Sequence, residues 1–111
     1  MPRAPFEIKS AHDGQTGRLT LLGELDIATV PLVERAVEAI LQNDTQLLTV
    51  DLSGLGFVDS SGLRLFIVLQ QRSDAEGWEL ALTKPEPQAL KVFRLSGVEE
   101  TLPFVEDASA A

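Results

Sequence analysis

Two hydroxyls and a carboxylate stand together in the segment Asp59-Ser60-Ser61-Gly62. The segment lies between an apolar stretch that reads as a strand and a long apolar run that reads as a helix. Backbone N–H groups at a helix N-terminus favour a neighbouring negative charge such as a phosphate. We therefore predict that Ser60 is a phosphorylation site, with Ser61 as a less favoured second site.

A helix cap is the simpler interpretation of the same segment, because aspartate and serine are both common N-cap residues. A cap needs one carboxylate or hydroxyl, whereas this segment carries three. The same two interpretations, a helix cap or a functional residue, apply to Asp26, because it lies between the second predicted strand and the first predicted helix. If the second and third strands are neighbours, Asp26 and Asp59 leave the sheet at one edge and Ser60 lies in a small acidic cluster.

Catalytic and nucleotide-binding chemistries fit the sequence poorly. A serine nucleophile needs a base within reach, but the only histidine is His12, in a predicted turn, and no G-x-S-x-G motif occurs. Gly54 and Gly56 do not open a dinucleotide motif, because Asp59 occupies the third glycine position. We interpret these glycines as a bend from strand to loop, and we expect neither enzymatic activity nor a cofactor or metal.

Composition narrows the class of partner. The 111 residues carry a formal net charge of −8 with only nine Lys and Arg residues, which disfavours nucleic acid and anionic membrane surfaces. An acidic protein suits a partner protein with a basic surface. The chain has no cysteine, no signal-peptide core and no run near the ~20 apolar residues of a membrane span. We therefore expect a cytoplasmic protein that does not insert into membranes.

Hydrophobic periodicity predicts the element order β-β-α-β-α-β-α-β, which indicates one α/β domain over residues 1–111 with frayed ends at 1–5 and 107–111. The predicted loop between the first two strands covers 12–17. The predicted second helix is apolar around most of its circumference, so it is deeply buried or lends part of its surface to a partner. The predicted strands are 6–10, 18–23, 47–52, 78–83 and 102–105, and the predicted helices are 30–43, 61–75 and 88–95.

Four motifs in order make nearly the whole chain resemble the STAS domain, and within it the stand-alone anti-sigma factor antagonists. They are Gly-Glu-Leu-Asp at 23–26, Asp-Leu-Ser at 51–53, Phe-Val-Asp-Ser-Ser-Gly-Leu at 57–63 and Leu-Ser-Gly-Val at 95–98. The resemblance implies a four- to five-stranded mixed sheet flanked by about three to four helices. It also implies a cytoplasmic regulator of transcription in bacteria, acting as a monomer or weak dimer.

In such systems the unmodified antagonist binds an anti-sigma factor that is also a serine kinase, and a sigma factor is released. The kinase phosphorylates the serine after the aspartate, here Ser60, and a serine phosphatase resets the pair. Asp26 matches the family's contact aspartate, and we expect an apolar contact surface around Leu63 and Phe66. The predicted partner-binding residues are Asp26, Asp59, Ser60, Ser61, Gly62, Leu63 and Arg64.

Two other functions stay open at this point. Some STAS domains serve membrane transport or lipid-trafficking complexes, and this chain is compatible with a soluble subunit of such a complex. A small-molecule sensor or nucleotide-binding domain is the other alternative, although no phosphate-cradling loop is visible in the sequence.

Overall fold

The computed structural model describes residues 5–106, so most of the expected fraying, at 1–4 and 107–111, lies outside the described part. The predicted element order and the mixed α/β class are confirmed. A 3₁₀ helix, Glu99–Thr101, is an addition to the predicted elements. The strands are β1 (Glu7–Asp13), β2 (Thr16–Leu25), β3 (Leu47–Val58), β4 (Glu79–Thr83) and β5 (Phe104–Val105), and the helices are α1 (Val30–Leu41), α2 (Ser60–Glu76) and α3 (Pro87–Leu95).

The five strands form one sheet in chain order, with β1 antiparallel to β2 and every later neighbour pair parallel. Parallel pairing requires a crossover between strands, and α1, α2 and α3 are those crossovers. Because parallel strands end at the same edge, the loops after β2 and β3 lie side by side. Leu25 is paired with Val58, and the Asp59 N–H donates to the Leu25 carbonyl at 3.1 Å.

Each helix buries one apolar stripe. α1 packs on β1 and β2, α2 contacts α1, β3 and β4, and α3 packs on β3. The Phe93 ring lies 6.0 Å from Phe66 and 5.5 Å from Phe104, which joins α3 to α2 and β5. The sequence predicts that Leu90 and Phe93 of α3 face inward, and the structure confirms it. The buried hydrophobic side chains of the helices are Val33, Val37, Ile40, Leu63, Leu65, Phe66, Leu69, Ala89, Leu90 and Phe93.

The first hairpin is tighter than the sequence predicted. Only Gly14 and Gln15 form the turn, and Gly14 adopts a φ of 60°, which a glycine reaches without steric cost. His12 is therefore a strand residue of β1 rather than a turn residue, and its Nε2 lies 3.0 Å from the Thr45 hydroxyl oxygen. The polar residues that looked like a long loop are exposed positions in paired strands.

β3 corrects the predicted strand-to-loop bend at Gly54 and Gly56. The strand runs through both glycines to Val58, and its pairing with β2 shifts register at two points. A Cβ on Gly54 would lie 2.9 Å from Leu22 Cδ2, and one on Gly56 would lie 3.1 Å from Glu86 Oε2. The glycines therefore permit close packing at two β-bulges, which increase the local twist of a strand and redirect it.

Asp51 anchors the first of these bulges. Its carboxylate accepts the Ser53 N–H at 3.0 Å and the hydroxyls of Ser53 and Thr83 at 2.7 and 2.8 Å, and it pairs with Arg18 at 3.3 Å. The Leu52 N–H at the bulge donates to the Thr83 hydroxyl at 2.8 Å. Burial raises the pKa of Asp51, but these hydrogen bonds and Arg18 outweigh it and hold the pKa below its ordinary value.

We predict that Asp51→Asn lowers the free energy of unfolding at neutral pH by about 1–3 kcal/mol, since it weakens a half-buried charged acceptor. A depressed folded-state pKa gives stability that is complete above the unfolded pKa of about 3.9 and is lost as the pH falls through the folded value. The stability of Asp51→Asn should therefore fall less than that of the parent chain between about pH 5 and pH 2.

Urea denaturation at a series of pH values measures both effects. Asp13→Asn, at the exposed end of β1, is the matched control for loss of one carboxylate. Equal acid sensitivity of Asp51→Asn and the parent chain would contradict this role for the Asp51 network.

Candidate functional site

Asp59 is the N-cap of α2, which confirms the cap interpretation for this residue. One carboxylate oxygen accepts the N–H groups of Ser61 and Gly62 at 2.9 and 3.1 Å. The other accepts the Ile27 N–H at 3.2 Å, from the loop between β2 and α1. A single side chain therefore caps α2 and ties its start to the neighbouring loop.

Ser60 is the first residue of α2 and is exposed. Within residues 5–106 its hydroxyl makes no hydrogen bond, because Asp59 already performs the capping. Ser61 is half-buried. The geometry therefore leaves the Ser60 hydroxyl accessible to a modifying enzyme and makes it the better placed of the two serines.

The backbone amides that we expect to hold a phosphate already have an acceptor in the unmodified chain. The N–H groups of Ser61 and Gly62 would have to receive the phosphate, but both are bonded to the Asp59 carboxylate. A phosphate on Ser60 would stand beside that carboxylate without these two donors. A positively charged side chain nearby would therefore be a favourable partner for such a phosphate.

Asp26 shapes the loop between β2 and α1. Its carboxylate accepts the N–H groups of Ala28 and Thr29 at 2.9 and 3.1 Å. Thr29 occupies the predicted N-cap position of α1, but its hydroxyl does not cap the helix and instead accepts the Asp26 N–H at 2.9 Å. The loop so formed leaves Ile27 76% exposed, beside the start of α2.

Two of the predicted partner-binding residues, Gly62 and Leu63, are buried in the unbound chain. A Cβ on Gly62 would lie 2.5 Å from Val58 Cγ2 and 3.0 Å from Leu25 Cδ2, so only glycine lets α2 approach the ends of β2 and β3 this closely. The expected apolar contact surface around Leu63 and Phe66 is wrong, because Leu63 is 7% exposed and Phe66 is 0% exposed. Of the predicted contacts on α2 beyond Ser61, only Arg64 is exposed.

An apolar groove between α1 and α2 takes the place of that surface. It has a volume of about 310 Å³ and begins beside the exposed Ile27. Val68 is 39% exposed, and it belongs to the apolar run that predicted either deep burial of α2 or a shared surface. No sequence pattern indicates that α1 supplies the other wall. We call this feature the α1–α2 groove, and it is lined by Ile27, Val30, Pro31, Glu34, Ser61, Arg64, Leu65 and Val68.

Residues 5–106 contain no group of three or more His, Asp or Glu side chains that could hold a metal ion. None of the helices in this part of the chain is both long enough and apolar enough to cross a membrane.

Comparison with known sequences finds the same family along most of the chain. A family model described as Mlab, STAS domain matches residues 8–106. An anti-sigma F factor antagonist of Lysinibacillus sphaericus is 32% identical over 96 residues, which cover 86% of this chain and 80% of the relative. An anti-sigma-B factor antagonist of Staphylococcus aureus strain NCTC 8325 is 28% identical over 80 residues, covering 72% and 74%.

Solved structures show the same fold. The crystal structure of an anti-sigma factor antagonist from Mycobacterium paratuberculosis superposes with a TM-score of 0.80 at 20% identity, covering 96% of this chain and 90% of that one. The phosphorylated form of the Bacillus cell fate determinant SpoIIAA gives a TM-score of 0.67 at 26% identity, covering 96% of each chain.

We predict that Asp59→Ala lowers the free energy of unfolding by about 0.5–2 kcal/mol, because it removes the cap of α2. Ser60→Ala should change it by less than about 0.5 kcal/mol, since the Ser60 hydroxyl holds no hydrogen bond in the described chain. Thermal and urea denaturation of the two variants measure this contrast. A loss for Ser60→Ala as large as that for Asp59→Ala would show that the serine is part of the cap.

Proposed function

The chain belongs to the STAS domain family, and we propose on that basis that it is an anti-sigma factor antagonist switched by phosphorylation of Ser60. The observation that supports this most directly is the exposed Ser60 at the start of α2, whose hydroxyl makes no hydrogen bond to the described part of the chain. It stands beside Ser61 at one end of the α1–α2 groove, where a modification can reach a bound partner.

The proposed partner is an anti-sigma factor with serine kinase activity. The unmodified chain binds it and a sigma factor is released; the kinase then phosphorylates Ser60, and a serine phosphatase restores the first state. The role is one of binding, so this chain contributes no catalytic group. It acts in the cytoplasm as a monomer or weak dimer, on a protein surface and not on nucleic acid.

The contact surface of this proposal is the α1–α2 groove together with the exposed start of α2. Ile27 and Val68 offer apolar area, and Ser60, Ser61 and Arg64 offer polar contacts. Asp26 and Asp59 contribute by holding the loop and the helix start in place. Apolar area of this kind on a small protein is typical of a surface that binds another protein.

Electrostatics explains how a phosphate could end the interaction without any change of fold. Phosphorylation adds about −1.5 to −2 charges to Ser60. Two unit charges about 4 Å apart repel by about 4 kcal/mol at an effective dielectric constant near 20. Since each 1.4 kcal/mol is about tenfold in affinity, a fraction of this repulsion is enough to release the partner.

The first test compares Ser60→Ala with Ser60→Asp. We expect both variants to fold, and we expect the alanine form to bind the anti-sigma factor at least about tenfold more tightly, a difference of about 1.4 kcal/mol. Both serve as baits in lysate from the native organism, and the captured kinase-like protein is then purified for calorimetric titration with each variant. Equal affinity of the two variants for that protein would contradict the switch.

The same baits decide the alternative function. Components of a membrane transport or lipid-trafficking complex held equally by both variants would show that this chain is a subunit of such a complex. Ser60 would then be an ordinary first residue of α2.

A second prediction concerns the α1–α2 groove. Val68→Asp places a charge on its exposed apolar wall, and we expect it to weaken partner binding by at least about tenfold. Its stability should change little, because the side chain is on the surface. Leu95→Asp is the matched control, since Leu95 is 78% exposed and does not line the groove. Equal affinities for both variants would contradict a partner in the groove.

A further inference from the structure

We propose that Arg64 is the residue that pairs with the phosphate on Ser60, so that one arginine serves the groove in one state and the phosphate in the other. The inference rests on the proposed function, since it concerns the phosphorylated form of the same site. Asp59 occupies the amides of Ser61 and Gly62 and adds a negative charge next to Ser60. A phosphate there would be repelled by the Asp59 carboxylate, and a nearby cation would lower its free energy.

Arg64 lies within reach of that phosphate. Ser60 and Arg64 are four residues apart on α2, and side chains at this spacing have Cβ atoms about 5–6 Å apart on the same face of a helix. A guanidinium matches the geometry of a phosphate with two parallel N–H···O bonds, so an arginine four residues on is well suited to hold it.

Arg64 is also free to move to the phosphate. Its side chain is exposed and, within residues 5–106, makes neither an ion pair nor a hydrogen bond. By contrast, Arg18 pairs with Asp51, Arg72 with Glu38 and Glu76, and Arg94 with Glu99. Recruitment of Arg64 therefore breaks no interaction among the described residues.

The groove explains why this recruitment matters for binding. Arg64 from α2 and Glu34 from α1 both line the α1–α2 groove and do not pair with each other. The groove therefore offers one positive and one negative group beside apolar area. It suits an amphipathic helix of the anti-sigma factor that carries a carboxylate for Arg64 and a basic side chain for Glu34. When Arg64 pairs with the phosphate on Ser60, the carboxylate of the anti-sigma factor loses its ion pair.

The decisive experiment needs no kinase. Phosphoserine is incorporated at position 60 during translation, and the second pKa of the phosphate is measured by ³¹P NMR titration. We expect this pKa to rise by about 0.15–0.4 in Arg64→Gln, the size that an exposed ion pair at this spacing produces. Arg35→Gln, an exposed arginine on α1 that does not line the groove, is the matched control and should leave the pKa unchanged.

An equal phosphate pKa in Arg64→Gln and Arg35→Gln would overturn the proposal. A second measurement uses the unmodified chain with the purified anti-sigma factor, where Arg64→Gln should weaken binding about tenfold more than Arg35→Gln. Absence of any anti-sigma factor that binds the unmodified parent chain would instead contradict the proposed function, and the NMR titration would still decide whether Arg64 holds the phosphate.

Discussion

The organisation of the site depends on one carboxylate. Asp59 bonds two amides at the start of α2 and a third in the loop after β2. A charged acceptor satisfies groups that a helix start would otherwise leave unpaired, and hydrogen bonds to charged groups are among the stronger ones. Because the bonds span two crossovers, the loop with the exposed Ile27 and the helix start with Ser60 form one surface. The positions of this loop and of the helix start are therefore coupled through Asp59.

Close packing supports this arrangement from below. Gly62 lets α2 approach Val58 and Leu25 to distances that no side chain would allow. The bulges of β3, one between Asp51 and Gly54 and one at Gly56, redirect the strand before it reaches Asp59, and Asp51 holds the first bulge in place. The site is thus positioned by glycines in β3 and α2 and by the half-buried Asp51, while the exposed residues are left to meet a partner.

The cap has a consequence for regulation. Since Asp59 neutralises the start of α2 in the unmodified chain, the helix dipole is not available to receive a phosphate without competition. In the proposed phosphorylated state the phosphate is met by Arg64, one turn along α2, which makes no ion pair or hydrogen bond within residues 5–106. A phosphate on Ser60 would therefore affect the α1–α2 groove through Arg64, which lines the groove.

The sequence alone determined the order of the elements and the edge at which the site lies. The hydrophobic periodicity of α1 and the glycine at position 77, just after α2, are local signals of helix position. The segment 57–63 is a local pattern that locates Ser60. Tertiary structure decided the remainder. Contacts between residues distant in the chain let β3 continue through its glycines and bury Gly62 and Leu63. The α1–α2 groove also depends on such contacts. Local patterns cannot encode such contacts, because the same side chain is core or surface according to what packs against it.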